Sequence, residues 1–130
     1  GSTLDLMTTL AALCGGTAPT DRVLDGTDLS PALLGVGPSP RDTMFYYRGD
    51  QLCAVRHGSH KLFFYTQPNY ANRKGIKHDP PLLFNVRHDP SEKYDIASSH
   101  PELVERLMGI AEEHRKGVKP VPSELEKLDH

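Results

Sequence analysis

The segment from Asp79 to Ile96 leaves the chain few choices. Asp79-Pro80-Pro81 cannot extend a helix, because proline fixes φ and has no N–H to donate. The run that follows, Leu82-Leu83-Phe84-Asn85-Val86, is short, apolar and bounded by turn formers, which predicts a buried strand. His88-Asp89-Pro90 ends it in a turn. The acidic, aromatic stretch Glu92-Lys93-Tyr94-Asp95-Ile96 then leads to a helix opening near Pro101.

That strand needs partners, and the preceding residues supply three. Thr43–Tyr47, Gln51–His57 and Lys61–Thr66 are rich in aromatic and β-branched residues. Arg48-Gly49-Asp50 and Gly58-Ser59 are short enough to force antiparallel hairpins. The alternation in the second segment is imperfect, because Cys53 and Val55 interrupt Leu52, Ala54 and His57. A polar loop from Gln67 to Pro81 joins the third strand to the fourth. The last helix is expected from about Pro101 to His114, with Leu103, Leu107, Ile110, Ala111 and His114 on one face. Ser98 or Ser99 is placed to cap it, and Gly117 to end it. The predicted fold class is α+β: a small four-stranded antiparallel sheet packed by a C-terminal helix, with an extra N-terminal helix.

That first helix spans residues 3–14. Ser2-Thr3-Leu4-Asp5 fits a capping box, and Gly15-Gly16 fits a C-terminal stop. Leu6, Met7, Leu10, Leu13 and Cys14 share a face patterned for burial. A short turn of helix is expected at Ser30–Leu34, after the Asp25-Gly26 turn.

The chemistry-bearing residues are sparse. A formal net charge of −2 without a basic stripe excludes general nucleic-acid binding. No apolar run is long enough to span a membrane. Cys14 and Cys53 do not make a disulfide framework, and both are expected to be small buried hydrophobes. His57-Gly58-Ser59-His60 has a two-residue spacer without a third ligand, so two surface histidines at a hairpin are expected rather than zinc. His88-Asp89 has no nucleophile elbow to accompany it. Arg56 and Lys61 flank the hairpin turn and are expected in solvent. No catalytic and no metal-ligating residue is assigned. The recognition candidates cluster in the long loop: Gln67, Asn69, Tyr70, Arg73, Lys74, Lys77 and His78, a cationic and amide-rich set suited to an anionic or polar ligand.

Several segments, taken in order, resemble the C-terminal region of sulfatases of the arylsulfatase A type. Pro81-Leu82-Leu83-Phe84-Asn85-Val86, Asp89-Pro90-Ser91-Glu92 and Pro101-Glu102 are similar to the family's "PLLYDL…DPxExxNL…PE" block. Ser2–Leu10 resembles "S-x-x-D-L-x-P-T-L", with Thr8 where the family has proline. Leu24–Gly35 is similar to "DGxDLSPLLLG", and Arg41 with Phe45-Tyr46-Tyr47 to "R…FFY". Ala54–Lys61 resembles "AVRxGxxK", and Phe63–Gln67 resembles "HFFTQ".

The resemblance implies a part of a sulfuric ester hydrolase that completes the fold and shapes the substrate entrance. It divides the chain into a helix of the preceding catalytic domain (1–16), a linker segment (17–42), the C-terminal subdomain (43–117) and an extended tail (118–130). It implies calcium and a formylglycine residue for the full-length parent, and a periplasmic, secreted or lysosomal location for that parent. The Cys/Ser-x-Pro/Ala-x-Arg context of the aldehyde precursor does not occur here. Cys14 is followed by Gly15-Gly16-Thr17-Ala18, and Ser39 directly precedes Pro40. This chain alone is therefore expected to be inactive. The implied partners are the N-terminal catalytic domain of the same protein and a sulfated small molecule or sugar; self-association through the N-terminal helix is a further expectation. The alternative is a free-standing module that binds carbohydrate or protein through the sheet edge and the same loop.

Overall fold

A computed structural model describes residues 1–68 and 75–119. The chain divides into two compact units, Gly1–Asp42 and Thr43–His130.

In the first unit a 3-10 turn, Thr3–Asp5, runs into helix α1, Leu6–Leu13. The expected capping box is present. The Ser2 hydroxyl accepts from the Leu4 N–H at 3.3 Å, and the Asp5 carboxylate accepts from the Ser2 N–H at 2.7 Å. At the other end the Gly16 N–H donates to the Ala11 carbonyl at 2.8 Å and the Gly15 N–H to Ala12 at 3.0 Å. Gly15 sits at φ +73°, the left-handed residue such a helix stop requires. Helix α2 is the expected short turn, Ser30–Leu33.

The face of α1 patterned for burial stands about half exposed in this chain alone, as expected of a helix whose partner is missing. Thr8 and Thr9 are buried with Asp5, while Leu6, Met7, Leu10 and Leu13 are about half exposed and Cys14 is exposed. Hydrogen bonding decides this orientation. Thr8 Oγ1 donates to the Thr27 carbonyl at 2.8 Å, and Thr9 Oγ1 accepts from the Leu29 N–H at 3.0 Å. The polar side of the helix thus docks on the 27–29 segment. Gly26 makes the approach possible, since a Cβ there would lie 2.3 Å from the Leu4 carbonyl oxygen.

The second unit is the expected meander. Strands β1 (Thr43–Arg48), β2 (Gln51–His57), β3 (His60–Thr66) and β4 (Ile76–Asn85) form one antiparallel sheet in chain order. The two-residue turns Gly49-Asp50 and Gly58-Ser59 place their glycines at φ +56° and +59°, matching the twist of the strands they join. Phe45, Val55, Leu62 and Leu83 are register partners in one row across all four strands. Helix α3, Pro101–Gly117, contributes buried Leu107 and Ala111 to the same core, with Leu103, Val104 and Ile110 at its margin. Each fully buried leucine there stabilises the fold by about 1.5–3 kcal/mol.

The imperfect alternation of β2 has a structural cause. Tyr46 faces Ala54 and Tyr47 faces Leu52, so Cys53 is an extra residue in a bulge. The bulge returns Leu52 to the core side three positions from Val55. Both cysteines are free, but Cys53 is only half-buried and Cys14 is exposed, contrary to the expectation of buried thiols.

Strand β4 starts earlier than expected. Residues 76–81, read as loop, belong to it. Phe63 pairs with Leu82 but Tyr65 with Lys77, so residues 78–81 bulge from the ladder. Pro80, after a cis Asp79-Pro80 bond, and Pro81 have no N–H to give β3, and this excursion accommodates both.

The turn after β4 is tied to the sheet. The Asp89 carboxylate accepts from the Lys93 and Tyr94 N–H groups at 2.7 and 2.8 Å. Glu92 is held at φ +52° and pairs with Lys61 Nζ at 2.8 Å. Lys61 is therefore not the solvated lysine expected at a hairpin: its side chain is 16 % exposed, and Nζ lies 4.6 and 4.4 Å from the Tyr46 and Phe63 ring centroids. Arg56 is exposed as expected and donates to the Gly58 carbonyl. The Asp95 carboxylate accepts from the Leu83 and Ala97 N–H groups, and Ile96 N–H donates to the Leu83 carbonyl, covering part of the β4 edge.

The geometry at Glu92 makes a graded prediction. Glu92→Ala and Glu92→Gly both remove the pair to Lys61, but only glycine relieves the left-handed backbone. Urea melts should show the alanine variant less stable than the glycine variant by about 1 kcal/mol. An alanine variant as stable as the glycine variant would mean the turn relaxes to another conformation.

Helix α3 opens at Pro101 and ends at Gly117 as expected, but its cap differs. Ala97–Ser99 form a 3-10 turn, and the N-cap residue is His100 rather than a serine, with no side-chain cap bond. The helix continues past His114 to Gly117, its last turn carrying His114, Arg115 and Lys116 against the negative helix end. His114 does lie on the inner face, stacked on Phe45 at 3.6 Å and 6°.

Candidate functional site

The described residues among those expected to meet a ligand fall at the loop end of the β3–β4 hairpin. Asn69, Tyr70, Arg73 and Lys74 lie outside the described residues; Gln67, Lys77 and His78 lie within them. Gln67 follows the end of β3 and is exposed. Lys77 is exposed on β4 opposite Tyr65. His78 is the first residue of the excursion and turns toward Thr66. There its Nε2 meets Thr66 Oγ1 at 2.7 Å. The hairpin end thus presents a lysine and an amide on strands anchored in the core, with a histidine oriented by a threonine. Such groups can bind an anion or a polar ligand; they do not compose a nucleophile and its base.

The other polar clusters are organised by the sheet. Thr43, His57, His60 and Asn85 form the register row beyond the core row Phe45–Val55–Leu62–Leu83, on the same face. The His57 ring lies 2.8 Å from Thr43 Oγ1 through Nδ1 and 3.2 Å from Arg106 Nη2 of α3 through Nε2. His57 and His60 are half-buried, not the surface histidines expected at a hairpin. Burial, and secondly the neighbouring His100, hold the His60 ring below the usual imidazole range. Burial pushes the Cys53 thiol up, opposite to what a thiolate nucleophile needs.

In the first unit Asp5 is the hub. Arg41 Nε donates to both Asp5 oxygens at 3.0 and 2.8 Å, Arg41 Nη2 also pairs with Asp5 and donates to the Asp25 carbonyl, and the Thr27 N–H donates to Asp5 Oδ1 at 2.8 Å. The Arg41 guanidinium, assisted by the Thr27 and Ser2 N–H groups, holds this carboxyl well below the usual carboxylate range despite its burial. Sequence reasoning recognised Asp5 only as a helix cap and Arg41 only as part of a motif. The capping signal was local, whereas the ion pair joins residues 36 apart.

Among the described residues no three His, Cys, Asp or Glu side chains gather as a metal site, so these residues do not fit the calcium ion that the resemblance implies for the parent. Cys14, exposed at the end of α1 before Gly15-Gly16, does not fit an aldehyde precursor either. Among the same residues no helix is long and apolar enough to cross a membrane.

The family described as the C-terminal region of aryl-sulfatase matches residues 39–130. Bovine arylsulfatase A is 42% identical over 118 residues, covering 78% of this chain and 23% of that protein. Human arylsulfatase A is 40% identical over 128 residues, covering 82% and 25%. Human N-acetylgalactosamine-6-sulfatase is 34% identical over 148 residues, covering 96% and 28%. The chain thus spans about a quarter of the length of these curated relatives. Among solved structures, a Bacteroides thetaiotaomicron protein from a locus that metabolises multiple glycosaminoglycans superposes with a TM-score of 0.67 at 28% identity, covering 86% of this chain and 24% of that one. A Pseudoalteromonas sp. sulfatase superposes with a TM-score of 0.73, covering 86% and 25%; at 20% identity it speaks to the fold alone. A free-standing binding module finds no support in these likenesses. By sequence and by fold, this chain belongs to the sulfatases, and what it contains is their C-terminal region.

Proposed function

We propose that this chain completes the fold of a sulfuric ester hydrolase and shapes the entrance through which its sulfated substrate, a small molecule or a sugar, arrives. The catalytic groups, the calcium ion and the formylglycine belong to the N-terminal domain of the same protein, which is the partner of this chain. That protein is secreted, periplasmic or lysosomal. The half-exposed apolar residues of α1, Leu6, Met7, Leu10 and Leu13, suit a helix that packs against that domain.

One observation carries the entrance role. Lys77, with His78 beside it, sits at the loop end of a hairpin rooted in the core, and the connection from Gln67 adds Arg73 and Lys74 in sequence. A cationic rim raises the local concentration of an anionic substrate, and salt weakens that effect. In the full-length enzyme, Arg73→Gln, Lys74→Gln and Lys77→Gln together should raise KM about tenfold at low ionic strength while leaving kcat within about twofold, because the contacts are made in ground and transition states alike. The rise should be larger on a polyanionic sugar than on a small aryl sulfate, and should shrink in salt. Steady-state kinetics on both substrates at two ionic strengths test it. An unchanged KM on both would reduce the loop to a connection.

A further inference from the structure

The polar row at the end of the sheet has a property independent of the sulfatase reading. Its members are Thr43 on β1, His57 on β2, His60 on β3 and Asn85 on β4. From the helix side it meets Arg106 of α3, and His100 at the start of that helix adjoins His60. His100 in turn pairs with Glu102 at 3.4 Å. These groups continue the core face where the apolar row ends, so they fasten the β2–β3 hairpin to the first half of α3.

The fastening is built for neutral rings. Arg106 is a donor that has no acceptor to offer, so His57 Nε2 must accept from it. The ring proton then sits on Nδ1 and donates to Thr43 Oγ1. The Asn85 amide nitrogen approaches His60 Nε2 at 3.5 Å, again using a ring lone pair. Protonating either ring removes an acceptor. It also sets a cation among Arg106, His100 and the other imidazole, with Glu102 already engaged by His100.

We propose that the row Thr43–His57–His60–Asn85, with Arg106 and His100, is a proton-operated latch that holds the start of α3 on the β2–β3 hairpin near neutral pH and releases it in acid. The sign follows from His60, which burial and then His100 hold below its ordinary value. A histidine depressed in the folded state contributes stability in full above its unfolded value near 6.5, and that contribution is lost as pH falls through the folded value. Release is local, because the apolar row beneath has no titratable member and the His114 ring stacked on its Phe45 lies in the last turn of α3.

Hydrogen exchange on the intact protein that carries this chain tests the latch. Peptides spanning residues 97–107 are compared at about pH 7.5 and about pH 5, on either side of the ordinary imidazole value, with intrinsic rates corrected. Protection of these peptides should fall several-fold, while β2 and β3 peptides hold theirs. His57→Gln with His60→Gln leaves neither ring of the row to titrate and should reduce the fall to less than about twofold. His100→Gln, which leaves the sheet untouched, should reduce it in part. A pH-independent wild type, a fall of full size in both variants, or an equal loss across β2 and β3 would each overturn the latch.

Discussion

Asp5→Asn should unfold the first unit while leaving the sheet of the second intact. The substitution keeps the shape of the side chain and removes its charge, so Arg41, only 13 % exposed, loses its counter-ion. Breaking one half of a buried pair costs about 3–5 kcal/mol, a large share of the roughly 5–15 kcal/mol that holds a domain. The unit has little else to rely on: none of the buried core hydrophobics among the described residues lies in Gly1–Asp42. Its described buried side chains are Asp5, Thr8 and Thr9, all hydrogen-bonded. Hydrogen exchange should show residues 2–14 and 25–29 deprotected in the variant and β1–β4 unchanged. Asp5→Leu with Arg41→Met, which removes both charges together, should recover much of the loss. Acid acts through the same carboxylate. Its folded value is lowered, so its contribution is complete above the unfolded value near 4 and disappears as pH falls through the folded one. The wild type should therefore keep this unit down to strong acid. A single Asp5→Asn variant within about 1 kcal/mol of wild type would remove the buried pair from its central place.

Leu83→Ala should cost about 2–5 kcal/mol in denaturant melts, the range for deleting a buried leucine side chain. Leu83 is fully buried, faces Leu62 across the β3–β4 ladder and anchors the Asp95–Ile96 segment through its own backbone. A cavity there lies on the strand that carries Lys77 and His78, so the loop end of the hairpin should loosen with the core. Leu10→Ala makes the useful contrast. Leu10 is 57 % exposed here, and the same change should cost less than about 0.5 kcal/mol in this chain. In the full-length protein it should cost about 2 kcal/mol or more if α1 packs against the catalytic domain. Equal, small effects in both settings would leave α1 without that partner.

The sheet and its last helix were legible because their signals are local. A two-residue turn with glycine, an apolar stripe at helical spacing or two prolines before a leucine pair restrict the backbone whatever lies elsewhere in the chain. Those signals determined the meander, α3, the cap at Ser2 and the stop at Gly15. Tertiary structure decided everything that depends on a distant partner. Periodicity marked the leucines of α1 for burial, while hydrogen bonds to the Thr27 carbonyl and from the Leu29 N–H turned the threonines toward residues 27–29. Lys61 sat where a hairpin lysine is normally solvated, until the Glu92 turn folded back to meet it. The bulge at Cys53 and the excursion at residues 78–81 are set by which residues pair across strands, and no single strand encodes its register. Of the candidate ligand residues, the sequence identified type and neighbourhood, and the fold decided that Lys77 stands exposed while His78 is held by Thr66. Sequence alone thus determined the elements and the family likeness. The long-range ion pairs and the orientation of each side chain came only with tertiary structure, because a charge or a hydroxyl is satisfied by whichever partner the fold brings within hydrogen-bonding distance.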